Sequence, residues 1–202
     1  MEIENQSTNL LTTQPIPDGF TCTLTTRLGH MLRLAEEQFG PRDHTYTILG
    51  IEFVADGPRI WYPGNCRHIA IQLSLDALHD EICACYELAH ETIHLLSPTG
   101  TAQTTVLEEG LATYYSVQYL QEHLGIDWPG SSEQNYDFAC KMITSLLAEE
   151  PQAIKRLRAS EMSLSKISND LIMEQCPSLN RSIGRSLVAK FDKASNTQIG
   201  LV

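Results

Sequence analysis

The chain has 202 residues, 42% of them hydrophobic, enough to fill one core of useful size, with at most one helical subdomain appended. Its formal net charge of -11, from 25 acidic and 14 basic side chains, argues against a nucleic-acid groove or an anionic membrane surface as partner, since either calls for a basic stripe. No apolar run nears the roughly 20 residues that span a bilayer, and the start of the chain has neither a basic segment nor a hydrophobic signal core. The expected location is therefore cytoplasmic.

Residues 1–19, rich in Thr, Gln, Asn and Pro and without period, read as a loose leader, partly ordered by Ile16 and Phe20. Over 25–39 the apolar positions Leu28, Met31, Leu32, Leu34, Ala35 and Phe39 recur at helical spacing, and Gly40-Pro41 stops the helix. Three β-branched or aromatic runs follow, at 45–54, 59–62 and 68–73, divided by Asp56-Gly57-Pro58 and Pro63-Gly64-Asn65. A helix capped by Ser74 or Asp76 comes next and ends at residues 97–100. A second long helix is expected over 101–124 with Gly125 as its stop, then a loop over 127–132. Further helices are expected at 133–150, 152–158, 164–174 and 178–193, and the tail from 194 has no assignment. Cys22, Cys66, Cys83, Cys85, Cys140 and Cys176 read as reduced thiols, because a chain of this size needs no staples.

The stretch 85–96 carries His90-Glu91-Thr92-Ile93-His94 inside a run of good helix formers. Side chains four apart on a helix share a face about 6 Å along the axis, so both imidazoles can converge on one ion, with Glu91 beside a water in its open position. Leu88, Ala89, Ile93 and Leu96, with Ile82 and Cys85, form an apolar stripe on the other side. A face that gathers two His and two Glu without Lys or Arg is not an ordinary solvated one.

A catalytic zinc usually takes three protein ligands, so a third is needed. Glu109 is the better placed: with a short connection between antiparallel helices, His90 and Glu109 each lie about 9 Å from the turn. Thr105, Ala112, Thr113 and Ser116 share its face and are small, and Gly110 permits closer approach. Glu108, rotated about 100° away, is the competitor.

His90-Glu91-Thr92-Ile93-His94 followed by Glu109-Gly110-Leu111-Ala112 resembles the gluzincin metallopeptidases, whose glutamate helix often reads Glu-Gly-x-Ala. The resemblance covers about residues 25–124. It implies an α+β, zincin-like fold: a small mixed sheet of about three strands packed on an active-site helix and a glutamate helix, followed by a mostly helical C-terminal part. The chain is expected to divide into a leader (1–19), a zincin-like catalytic subdomain (20–130) and a helical subdomain (131–202). The resemblance implies Zn2+ held by His90, His94 and Glu109, with Glu91 as general base, acting on a peptide or protein substrate laid along the strand 68–73 as sheet edge. The metzincin pattern fails, because Ser97 and Gly100 stand where Gly and His are required.

Thr113 replaces the Asp that in some gluzincins orients a ligand imidazole, leaving Glu87 or Glu108 for that task. The oxyanion-steadying residue implied by the family is left open among Tyr136, His123 and the C-terminal helices. His30, His44, His68, His79 and His123 read as surface or capping residues, Trp61 and Trp128 as core and loop packing. Two alternatives stand beside a general peptidase. One is a non-catalytic helical interaction domain with zinc structural or absent; the other is a dedicated intracellular protease that cleaves one regulatory protein.

Overall fold

The computed structural model describes residues 10–65, 67–101, 103–131 and 133–192. The expectations for residues 1–9, for Cys66 and for the chain beyond 192 lie outside the described residues. A short hairpin, β1 (Pro15–Ile16) and β2 (Gly19–Phe20), precedes α1 (Leu24–Phe39). The sheet strands β3 (Thr47–Val54), β4 (Arg59–Trp61) and β5 (His68–Ser74) follow, then α2 (Glu81–His94) and α3 (Val106–Tyr119). The remainder is α4 (Gln134–Glu149), α5 (Ala153–Ser160), α6 (Asn169–Gln175) and α7 (Arg181–Leu187). The class is mixed α+β, and no helix among the described residues is long and apolar enough to cross a membrane.

Ile16 and Phe20 do not order the leader: they are 48% and 68% exposed. Leu10 does so instead. It is buried in the main core, and its carbonyl accepts the Leu24 N–H at 2.9 Å, which fixes the entry to α1. Thr23 and Thr26 cap that helix reciprocally.

The strand order is β3-β5-β4, with β5 parallel to β3 and antiparallel to β4. The strand expected at the edge is thus the central one. Its run Ile69, Ala70, Ile71 and Leu73 is buried throughout, the pattern of a strand covered on both sides, which a two-sided apolar reading would have detected. The edge beside α2 is β4, whose alternation leaves Trp61 half exposed rather than in the core. One polar rung pins the register across all three strands. Arg59 Nε donates to Gln72 Oε1 at 2.8 Å, and Gln72 Nε2 donates to Glu52 Oε2 at 3.0 Å.

The cap of α2 is Asp80, whose carboxylate accepts from the N–H groups of Ile82 and Cys83, while Asp76 opens a separate turn of 3₁₀ helix. Glu87 ties the helix to the end of β5, accepting from the Ser74 N–H at 2.8 Å and its hydroxyl at 2.6 Å. The glutamate helix begins later than the expected 101–124, at Val106, because Thr105 caps it, and it closes in a π-helical turn over Leu120–Leu124. The expected 164–174 and 178–193 helices are likewise shortened by Ser168 and Asn180, which cap α6 and α7.

The C-terminal helices share the main core with α1, α2 and the sheet. Arg158 of α5 is buried and donates to the carbonyls of Phe39, Gly40, Pro41 and Leu96, so one guanidinium joins the ends of α1 and α2. Burial pushes its pKa down to about 10, which leaves it charged at neutral pH. Gly110 serves α4 rather than α2: a Cβ there would lie 2.4 Å from the Ala139 carbonyl oxygen. That contact is with backbone and cannot be relieved by a rotamer change. Gly110→Ala should therefore part α3 from α4 and cost about 1–3 kcal/mol, read as a lower urea midpoint. An unchanged midpoint would show that the helices slide freely.

Candidate metal centre

The centre forms where the C-terminal half of α2 meets the first turn of α3. His90 Nε2 lies 3.1 Å from Glu109 Oε2, and His94 Nε2 lies 3.8 Å from the same oxygen. The three ligand atoms fall within 4.8 Å of one another, and among the described residues no other His/Cys/Asp/Glu group gathers in this way. Zinc-type bonds of about 2.0–2.1 Å in a tetrahedron place ligand atoms about 3.3 Å apart, so this donor set fits an ion of that kind with small side-chain adjustments. Glu109 is buried completely and His94 nearly so, while His90 faces the cleft.

Glu108 has a different task. Its Oε1 lies 2.8 Å from His94 Nδ1, so the Nδ1–H can donate to the carboxylate and fix the ring with Nε2 as the atom that gives up its proton to an ion beside Glu109. The other Glu108 oxygen is buried and has no hydrogen-bond partner among the described residues. Glu87, the alternative for this role, is taken by Ser74 and by the Cys83 thiol at 3.6 Å. Thr113 donates to the carbonyl of Glu109 at 2.9 Å and holds the helix rather than a ligand. Burial alone would push the His94 imidazole down in pKa. The carboxylates of Glu109 and Glu108 outweigh that and hold it up at about 9.

Glu91, 3% exposed, follows His90 and borders cavities on both sides of the centre. On the His94 side a cavity of about 110 Å3 is lined by Arg59, Tyr62, Thr99 and Thr104. On the His90 side a cavity of about 510 Å3 reaches Tyr86, Trp128, Glu133 and Tyr136. The Tyr136 ring meets that of His90 edge-on at 5.8 Å and packs on Phe191 at 4.8 Å. Burial and the charges of Glu109, Glu133 and Glu91 push the Tyr136 phenol well above its ordinary pKa, so it keeps its proton.

The remaining candidates lie elsewhere. His123 is exposed and packs on Tyr119 and His30, and His30, partly buried, has its Nδ1 3.0 Å from Tyr119 Oη. His44 is exposed near Glu36, and His79 closes the turn before α2. Trp128 stacks on Tyr86 at 5.5 Å. The five described cysteines are free, and burial first, then Glu87, pushes the Cys83 thiol up to about 11.

Metal uptake must displace the proton that His94 holds up to about 9. Zinc titration of the metal-free protein at neutral pH should therefore release about one proton per ion, and affinity should fall about tenfold per pH unit below that range. At a pH above it, where proton competition is gone, Glu108→Gln should bind zinc about 10–100-fold more weakly. A pH-independent affinity would refute the paired arrangement of His94. Compared with protein-family models, with curated proteins and with solved structures, the chain gives no significant match.

Proposed function

We propose that the chain is a zinc-dependent metallopeptidase of gluzincin type, hydrolysing peptide bonds in a peptide or protein substrate. The observation that carries this reading is the convergence of His90, His94 and Glu109 with Glu91 beside them and a cavity on either side. Three converging side chains among the described residues, rather than a closed set of four, favour catalysis over a structural site. A zinc ion held there would supply Lewis acidity, activating a water and polarising the scissile carbonyl.

The chain's own groups do the rest. Glu91, which lines the cavities on both sides of the centre, accepts the water proton and returns it to the leaving amine. Glu108 keeps the His94 ring in one orientation. Tyr136, protonated and edge-on to His90, donates its hydroxyl hydrogen to the oxyanion that develops on the carbonyl, the role left open by the sequence. An extended peptide would add to β4, which is paired with β5 on one side only; its Arg59 and Ile60 border the His94-side cavity, and Asp56 and Pro58 just before it border the other.

Glu91→Gln should retain one zinc and lose hydrolysis by at least about 10³-fold, whereas Glu109→Ala should lose the metal. Full activity in zinc-loaded Glu91→Gln would remove Glu91 from the mechanism. Tyr136→Phe should lower kcat about 10²-fold with zinc affinity intact, and an equal rise in KM alone would assign Tyr136 to substrate binding instead.

A further inference from the structure

The two cavities beside the centre differ in chemistry. That on the His94 side is small and carries four hydroxyls and the cation Arg59 beside the carboxylates of Glu91, Glu108 and Glu109. The one on the His90 side has four carboxylates in its walls, from Asp56, Glu87, Glu91 and Glu133, and neither Lys nor Arg lines it. Its floor is the stacked pair Tyr86 and Trp128, with ring centroids 5.5 Å apart. An aromatic wall beneath a ring of carboxylates suits a long apolar stem that ends in a cation.

From this wall chemistry we infer that the His90-side cavity is a subsite for a lysine or arginine side chain of the substrate, next to the bond to be cleaved. The inference rests on the peptidase reading and names the substrate class for it. Not every carboxylate is equally available. Asp56 has Arg59 Nη2 at 3.9 Å, and Glu87 is engaged by Ser74. Glu133 is exposed and lines the cavity together with Tyr86 and Trp128. Glu133 and Trp128 are thus the residues that should set the preference: one supplies the charge, the other the ring face.

Two peptides that differ only in Arg against Gln at one position flanking the scissile bond provide the test. With the zinc-loaded protein, kcat/KM should favour the Arg peptide about tenfold or more, as expected of a partly desolvated cation over an aromatic ring and a carboxylate. In Glu133→Lys and Trp128→Ala that Arg/Gln ratio should fall toward one. Cleavage with no basic preference, or a preference that survives Glu133→Lys, overturns the inference and leaves the peptidase reading intact. Binding to the metal-free protein, followed by tryptophan fluorescence in wild type and Trp128→Ala, separates the two ideas. Tighter Arg-peptide binding lost in Trp128→Ala, without zinc-dependent hydrolysis in the loaded protein, supports the subsite and sinks the peptidase. Equal binding of both peptides sinks the subsite.

Discussion

Three carboxylates, from Glu91, Glu108 and Glu109, and two imidazoles share one nearly dry pocket between α2 and α3, and the architecture answers to that concentration of charge. Burying a carboxylate is costly unless it is paired. Two imidazoliums would offset two of the three negative charges, and a divalent cation held by His90, His94 and Glu109 would supply the same +2 at the carboxylate oxygens with both rings neutral. The helix ends reduce the remaining cost. Glu108 and Glu109 lie in the first turn of α3, where the helix end is positive, and His94 lies in the last turn of α2, where it is negative. Antiparallel packing through a short connection brings those two ends together, so topology and electrostatics favour the same arrangement.

Such a pocket would collapse or flood without rigid walls. Glu87 ties α2 to the end of β5, so the motif helix cannot rotate without breaking two hydrogen bonds at Ser74. Arg158 draws the end of α2 to the end of α1 through carbonyls at the two helix termini. The site therefore sits on fixed elements, which is what placing ligand atoms within a few tenths of an ångström requires.

Much of this was legible in the sequence because the strongest signals are local. The helical period over 25–39, the three β-branched runs and the His-Glu-x-x-His spacing depend on neighbours in the chain, and the elements they announced are present to within a few residues. What was missed depends on distant partners. Periodicity does not say which of three strands is central, and only the unbroken burial of β5 hinted at it. Gly110 was assigned to the approach of α2 and α3, whereas it admits the backbone of α4, a partner about 30 residues later. Tyr136 could not be singled out by spacing, since its ring reaches His90 only through that same helix contact. Arg158 carried no signal of its own, being one of three basic residues, with Lys155 and Arg156, in a short helix.

The C-terminal part is more than an appended wall. The Val106 N–H, one of the unsatisfied donors of the first turn of α3, is accepted by Ala189 O at 3.0 Å, and Phe191 N–H donates to Thr104 O at 2.9 Å. A single antiparallel bridge, Thr105 to Lys190, thus holds the turn that carries Glu108 and Glu109, and Phe191 then packs on Tyr136. One segment near the end of the described chain positions both the carboxylate pair and the phenol. Its removal should therefore loosen the Glu108–Glu109 turn and the Tyr136 ring together, which removal of a purely peripheral subdomain would not do.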